Sequence, residues 1–293
     1  MDTSSTNEKI QINHVSDTAL WVAYYRAKET LRPDALFRDP LANVLLGERG
    51  KKIAESMKTV GKYTEWAVIA RTVIIDQFIL DLIGKGVDTV INMGTGLDTR
   101  PYRMNLPSSL KWIEVDYPQI ISHKNRLLKK ESPKCQLTRV ELDLADEEKR
   151  NQFLTEVGSQ AKKTLVITEG VIPYLSEEQV SSLAKALHNE THVHYWITEF
   201  FRAEVYPYLK ASLRTIKMKN APFRFFPNDW LGFFEKCGWT SEEIRYSTEI
   251  AVKYNRKIPL PWWAGFLRIF FSKAIVKKSE KMSGYMVFKK ISY

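Results

Sequence analysis

The stretch VINMGTGLDTRPYR, residues 90–103, decides how the rest of the chain is interpreted. An apolar run leads into Gly94 and Gly96, and an acid, a Thr and an Arg-Pro pair follow. A strand that ends in glycines before a helix is typical of a nucleotide-binding turn, because glycine adopts positive φ and lets a ligand approach the backbone. The third glycine of the dinucleotide fingerprint is absent, so the cofactor has to be inferred from the other strand ends.

Short β-rich segments alternate with helical segments on the C-terminal side of residue 86. Strands are predicted at 88–94, 110–117, 136–144, 164–171 and 191–201. This alternation predicts an α/β fold in which helices cover a mostly parallel sheet. Two later strand-like segments, 241–250 and 284–291, have no regular crossover helix between them. They predict an antiparallel edge on the sheet.

The N-terminal part of the chain has a different pattern. Apolar residues recur every three or four positions at 17–31 and 64–86, which is typical of helices. We therefore expect residues 1–86 to form a helical extension. Residues 87–293 are expected to form a Rossmann-like domain, with an aromatic-rich insertion around 200–227.

Composition restricts the class of protein. The chain has 293 residues, 44 Lys and Arg against 34 Asp and Glu, and a net charge of +10. The lysines are scattered rather than clustered, so the charge only weakly favours nucleic acid as a partner. Cys135 and Cys237 form no CxxC pair, which predicts two reduced, buried thiols and no metal site. The polar N-terminus does not resemble a signal peptide, and a cytoplasmic location is expected.

The most apolar segment is PWWAGFLRIFFSKAIV, residues 261–276. It is interrupted by Arg268 and Lys273 and is too short to span a bilayer. Residues 261–278 allow three interpretations: core packing, a wall over an apolar substrate, or a helix that makes weak contact with a membrane surface.

Acidic residues stand at four successive strand ends. Asp116 lies 22 residues after Gly94, the spacing at which a carboxylate accepts hydrogen bonds from a ribose. Asp143, with the backbone N–H of Leu144, can satisfy an adenine ring. Glu169 and Glu199 end the next two strands. Each feature also has a simpler interpretation: the glycines could form only a tight turn, and Asp143 could cap the next helix.

An acidic rim indicates which nucleotide is bound. Pyrophosphate is held by backbone amides and cations, whereas this rim is suited to a nucleoside that lacks phosphate and carries positive charge. S-adenosylmethionine has a ribose, an adenine, an amine and a sulfonium. The missing third glycine agrees with this cofactor. A nicotinamide-dependent oxidoreductase of the Rossmann type and an RNA-binding or RNA-modifying protein remain the alternatives.

Several segments in fixed order resemble one known family. They are SDTALWVAYYRAKET, RPDALFRDPLA, ARTVIIDQF, VINMGTGLDTRPYR, WIEVDYP, ELDL and ITEGVIPYL. The chain resembles the leucine carboxyl methyltransferase family, and within it the bacterial-type branch of S-adenosylmethionine-dependent methyltransferases. The resemblance implies a class I methyltransferase fold, a seven-stranded sheet whose last strand is antiparallel, with N-terminal helices that form a lid.

The resemblance also implies roles for particular residues. Arg71 would hold the carboxylate of the cofactor, Gly94 its methionine part and Asp116 its ribose. Adenine would lie against Asp143 and Leu144, and Glu169 would lie near the amino group and the reacting methyl.

The methyl acceptor is less defined. The eukaryotic members of the family carry a Cys-Lys-Arg run in the first helix, where this chain has Trp-Val-Ala at 21–23. The missing lysine favours a small, apolar acceptor over a protein C-terminus. A hydroxyl acceptor would need a base, whereas a carboxylate would not. The candidate catalytic residues are Glu169 and Tyr174, with Glu199 and His123 as further candidate bases; no oligomeric state is predicted.

Overall fold

The computed structural model describes residues 15–56, 61–158, 160–215, 222–258 and 280–291. Three helices come first: α1 (Val15–Thr30), α2 (Pro40–Ser56) and α3 (Gly61–Gly84). Gly47, with φ of 58°, kinks α2. The segment 261–278, for which a membrane contact was one interpretation, lies outside the described residues.

Seven strands form one sheet in the order β3-β2-β1-β4-β5-β7-β6. They are β1 (Thr89–Met93), β2 (Lys111–Asp116), β3 (Gln136–Glu141), β4 (Thr164–Ile167), β5 (Val193–Phe201), β6 (Trp239–Tyr246) and β7 (Ser283–Lys290). The first five pair in parallel, and β7 runs antiparallel to both of its neighbours. The predicted α/β fold with a mostly parallel sheet is therefore confirmed. The antiparallel strand lies one place inside the edge, which is formed by β6.

Helices lie between the strands. They are α4 (Arg100–Arg103), α5 (Pro118–Leu127), α6 (Glu147–Gly158), α7 (Glu177–Asn189), α8 (Tyr206–Thr215), α9 (Trp230–Glu235) and α10 (Ser247–Lys253). The predicted strand at 241–250 was wrong at its C-terminal end, because the chain turns into α10 at Ser247. Glu249 explains the turn, since its side chain accepts a hydrogen bond from the backbone N–H of Tyr246 at 3.1 Å and caps the helix.

The sheet is buried on both faces. Every residue of β1 and β4 is buried. Successive side chains point to opposite faces, so Val90 belongs to the buried cluster that contains Phe78 of α3, whereas Ile91 belongs to the cluster that contains Leu183 of α7. Cys135 and Cys237 are free and buried, as predicted. Within the described part of the chain, no helix has the length and apolarity required to cross a membrane.

The topology fixes where a ligand can bind. β1 lies between β2 and β4. The chain moves from β1 to β2 and β3 on one side and then returns to β4 on the other, which opens a crevice beyond the C-terminal end of β1. Gly94 follows β1, Asp116 ends β2 and Thr168 follows β4. The residues predicted from the strand ends are therefore brought to the same edge of the sheet.

Candidate active site

A cavity of about 630 Å³ lies at this edge, below α1 and α3. It is lined by every residue that the sequence predicted for the cofactor and by the candidate catalytic tyrosine: Arg71, Gly94, Asp116, Asp143, Leu144, Glu169 and Tyr174. These residues come from five separate segments of the chain. Their convergence on one cavity makes it the candidate active site.

The glycine turn leaves no room for a side chain. Gly94 and Gly96 have φ of 73° and 52°. A Cβ atom on Gly94 would lie 2.4 Å from Cγ2 of Val171, which lines the cavity with it. The turn therefore has the open backbone that a ligand needs for close approach, and it fits the proposed cofactor.

Gly94→Ala should abolish binding of S-adenosylhomocysteine, measured by calorimetry, because both the contact with Val171 and the positive φ oppose the new side chain. In the double variant Gly94→Ala/Val171→Ala the atom of residue 171 nearest to the new Cβ of residue 94 is its own Cβ, at 3.8 Å. The double variant should recover part of the affinity, and the strain at φ, about 1–2 kcal/mol, should remain. Equal affinity of Gly94→Ala and the unmodified protein would contradict this account of the turn.

Asp116 has the geometry of a ribose-binding carboxylate. Its Oδ2 accepts the backbone N–H of Gly96 at 2.6 Å and its Oδ1 accepts that of Tyr117 at 2.7 Å. The residue is 8% exposed, and burial raises the pKa of its carboxyl above the ordinary value despite these two hydrogen bonds. Each oxygen has a further lone pair for a ligand hydroxyl. Glu114, two residues earlier on β2, is fully buried against Lys124 at 2.8 Å and does not reach the cavity.

Asp143 is exposed at the rim. Its Oδ1 accepts the backbone N–H of Ala145 at 2.9 Å, and its side chain also bonds the hydroxyl of Tyr117. The backbone N–H of Lys149 in α6 is instead accepted by Asp146, at 3.1 Å. The simpler interpretation, in which Asp143 caps the next helix, is therefore not what the structure has. Leu144 follows it on the cavity wall.

Arg71 and Glu169 form an ion pair. Nε of Arg71 lies 2.8 Å from Oε1 of Glu169, and Nη1 of Arg100 donates to Oε2 at 2.7 Å. Burial disfavours the charge on Glu169, but the two arginines outweigh it and hold the pKa of its carboxyl below the ordinary value. Arg71 and Glu169, for which separate roles were expected, therefore form one ion pair on the cavity wall.

This ion pair belongs to a larger group of buried charges that was not predicted from the sequence. We call it the arginine–carboxylate cluster: Arg26, Arg71, Arg100 and Arg103 with Asp39, Asp76, Asp98 and Glu169. Arg100, 1% exposed, contacts Asp76, Asp98 and Glu169 at 2.7, 2.9 and 2.7 Å. Arg100 and Arg103 of the opening motif therefore belong to this cluster and do not line the cavity.

Apolar side chains also line the cavity. Its wall contains Trp21 and Val22 of α1, Val68 of α3, and Phe201, Leu209 and Phe223. Tyr174 is also in the lining, and its ring is perpendicular to that of Phe223 at 5.0 Å between centroids. Its hydroxyl bonds Thr18, and burial raises its pKa to about 12. Tyr285 of β7, which the sequence did not single out, also lines the cavity and bonds Arg71.

His123 is not part of the site. Its Nε2 lies 2.9 Å from the carbonyl oxygen of Leu45, so the ring links α5 to α2. Glu199 is 2% exposed and lies behind the cavity wall rather than on it. Neither candidate base is positioned to touch a methyl acceptor.

The fold and the acidic strand ends together define a class I methyltransferase. The chain matches the family model described as leucine carboxyl methyltransferase over residues 19–188, more than half of its length, and belongs to that family. The identification of an S-adenosylmethionine-dependent methyltransferase made from the sequence is therefore confirmed. Neither the oxidoreductase nor the RNA-binding alternative gains support from the comparisons.

Relatives and solved structures agree with this assignment. Proteins named as candidate S-adenosyl-L-methionine-dependent methyltransferases in Mycobacteroides abscessus and Parafrankia sp. are each 32% identical to this chain. The first alignment covers 58% of this chain and 59% of that protein, and the second 84% and 83%. The crystal structure of a DUF574 family protein from Streptomyces avermitilis has a TM-score of 0.60, with 14% identity over 93% of this chain and 97% of that one. At this identity the likeness supports the fold alone.

Proposed function

We propose that the protein is an O-methyltransferase that acts on a small, apolar acceptor, and that the acceptor oxygen belongs to a carboxylate. The observation that carries the proposal is the set of apolar side chains that line the same cavity as the Arg71–Glu169 pair. Trp21 and Val22 occupy the places where the eukaryotic relatives have a cysteine and a lysine. An apolar wall there favours the body of an apolar molecule over a charged peptide end.

Gly94, Asp116, Asp143 and Leu144 would hold S-adenosylmethionine in the proposed site. The cofactor supplies an electrophilic methyl group on a positively charged sulfur. The turn at Gly94 would leave backbone exposed to the methionine part, and the carboxylate of Asp116 would accept hydrogen bonds from the ribose. The protein then contributes mainly by positioning the acceptor oxygen, which accounts for much of the rate in such displacements.

The state of the candidate bases favours a carboxylate acceptor over a hydroxyl. Arg71 and Arg100 keep Glu169 ionised but hold its pKa low, so it is a weak proton acceptor. Tyr174, with a pKa of about 12, is neutral at physiological pH, so its hydroxyl can hydrogen-bond an acceptor but is a poor base. An acceptor that is already ionised needs neither of them as a base. Both residues then act by orientation: Glu169 near the reacting methyl and Tyr174 near the acceptor oxygen.

The helices that precede residue 87 would serve as a lid in this proposal. Residues of α1 and α3 cover the cavity, and Trp21 and Val68 are among those that would exclude water from the reacting atoms. Residues 87–293 would form the cofactor-binding domain, with the segment around 200–227 supplying part of the acceptor wall through Phe201, Leu209 and Phe223.

Methyl transfer to matched pairs of acceptors tests the proposal. Each pair should have one apolar carbon skeleton that carries either a carboxylate or a hydroxyl, and products from labelled S-adenosylmethionine are identified by mass spectrometry. We expect transfer to the carboxylates and a product that mild alkali hydrolyses, as it does a methyl ester. Transfer confined to hydroxyl or nitrogen acceptors would contradict the carboxylate assignment. Asp116→Ala supplies the background.

A further inference from the structure

Glu199 is a buried carboxyl directly behind the cavity wall. Its Oε1 accepts the backbone N–H of Gly170 and its Oε2 accepts the hydroxyl of Thr198 at 3.0 Å. In the antiparallel ladder Glu199 lies opposite Tyr285, so the two side chains share one face of the sheet. Gly170 and Tyr285 both line the cavity. A charge in this part of the cavity is therefore separated from Glu199 by a single layer of the protein.

Among the described residues, Glu199 has no cation of its own. Arg71, on α3, is the positive group that acts on it, and Arg71 is already paired with Glu169. No Lys, Arg or His of the described ranges makes an ion pair with Glu199. Tyr285 of β7 and Tyr174, which follows β4, are the other titratable groups that sense its charge, and both are neutral near pH 7.

The nearby buried charges balance without Glu199. The arginine–carboxylate cluster has four arginines and four carboxylates, so an ionised Glu199 would add an uncompensated negative charge to the interior. Burial of such a charge is costly unless a partner is supplied. Burial accordingly raises the pKa of Glu199 to about 7. In the ligand-free protein, a substantial fraction of Glu199 is protonated at neutral pH.

We propose that Glu199 releases its proton when S-adenosylmethionine binds, and that the carboxylate so formed balances the positive charge on the sulfur of the cofactor. The inference rests on the cofactor site proposed above. The O–H bond of the carboxyl breaks and the proton passes to the solvent. S-adenosylhomocysteine, the same molecule without the methyl group and its charge, provides no reason for the proton to leave. Glu199 would thus be a positioning residue that distinguishes the charged cofactor from the neutral product.

The pH dependence follows with a definite sign. Below pH 7 Glu199 must lose a proton before it can pair with the cation, so the affinity for S-adenosylmethionine falls as the pH falls. Well above pH 7 the carboxylate is already formed, and the affinity becomes independent of its titration. If the carboxylate stays ionised in the complex, the affinity rises about tenfold from pH 6 to pH 8, and about half a proton is released at pH 7. The affinity for S-adenosylhomocysteine should lack this component.

Calorimetry in buffers of different ionisation enthalpy tests the proposal, because it counts the protons that binding releases. S-adenosylmethionine and S-adenosylhomocysteine should be titrated into the full-length protein and into Glu199→Gln between pH 6 and pH 8. Glutamine has the size of the protonated carboxyl and can still accept the N–H of Gly170. The α-amino groups of the ligands also titrate in this range. The parallel measurement on Glu199→Gln accounts for the protons that these amino groups release. Any proton released by Asp116 is expected to be the same for both ligands.

We expect Glu199→Gln to release about half a proton fewer than the unmodified protein at pH 7 with S-adenosylmethionine, and the same number with S-adenosylhomocysteine. Equal proton release by both proteins with both ligands would overturn the proposal. If Glu199→Gln does not fold, measurements on the unmodified protein alone still test the proposal. The ratio of its affinities for S-adenosylmethionine and S-adenosylhomocysteine must rise about tenfold from pH 6 to pH 8. A constant ratio refutes the proposal. Failure of the unmodified protein to bind either ligand would instead count against the cofactor site.

Discussion

Asp116→Ala is expected to abolish detectable binding of S-adenosylmethionine while the fold is retained. The carboxylate would accept hydrogen bonds from two ribose hydroxyls, and each hydrogen bond to a charged group contributes about 1.5–3 kcal/mol. Loss of both corresponds to at least a hundredfold weaker affinity. The side chain also accepts the N–H of Gly96 at 2.6 Å, so the variant loosens the turn that faces the ligand.

Calorimetry with both S-adenosylmethionine and S-adenosylhomocysteine measures this effect, and circular dichroism checks the fold. Glu141→Ala is a matched control, because Glu141 pairs with Asp116 in the register of β2 and β3 but is exposed and outside the cavity. Its affinity should equal that of the unmodified protein. Undiminished affinity in Asp116→Ala would remove the ribose assignment and, with it, the proposed orientation of the cofactor.

Arg100→Met should lower the free energy of unfolding by roughly 3–5 kcal/mol, the usual effect of removing one partner from a buried ion pair. The guanidinium contacts three carboxylates at 2.7–2.9 Å and is 1% exposed, and methionine fills part of its volume without its charge. Asp76, Asp98 and Glu169 would then face one another with fewer cations. Urea denaturation gives the change directly.

The loss of unfolding free energy in Arg100→Met should depend on pH. In the unmodified protein the pKa values of Asp98 and Glu169 are lowered, because their arginine partners outweigh the effect of burial. Carboxyls with lowered pKa stabilise the fold above their unfolded-state pKa, and this contribution disappears as the pH falls. The difference between variant and unmodified protein should therefore be largest near pH 7, persist to about pH 5, and narrow below about pH 4 as the pH falls toward the lowered pKa values. Arg32→Met, which breaks the exposed pair with Asp34, should have little effect at any pH.

Sequence reasoning was effective where the signal is local. The glycines after β1 and the carboxylate at the end of β2 are read from a strand pattern and a spacing, and neither needs knowledge of distant residues. Because parallel strands end at one edge of the sheet, Asp116 and Asp143 could be placed beside Gly94 from the order of the strands alone. The structure brings all of the predicted cofactor residues to one cavity, and their individual roles stay predictions.

The ion pairs could not be predicted in the same way. Arg100 and Arg103 stand in a polar, turn-rich stretch where a charged residue is normally solvated. Their partners Asp39, just before α2, and Asp76 of α3 are distant in the sequence, and no spacing signals such a contact. The pairing of Arg71 with Glu169 was missed for the same reason, because each residue was interpreted through its ligand and not through its neighbour. Tyr285 could have been found from the alternation of β7, had its pairing with β5 been known.

The attachment of α1 to the glycine turn has a consequence for local opening. Arg26 of α1 donates to the carbonyl oxygen of Leu97 at 2.6 Å, and Thr99 donates to Asp39, just before α2, at 2.6 Å. Neither the helices nor the turn can separate without exposing unpaired buried groups, so they should open as one cooperative unit. A ligand that binds only the turn thereby slows amide hydrogen exchange in helices it never touches. Ligand binding at the turn is therefore expected to stabilise α1 and the start of α2 as well as the turn.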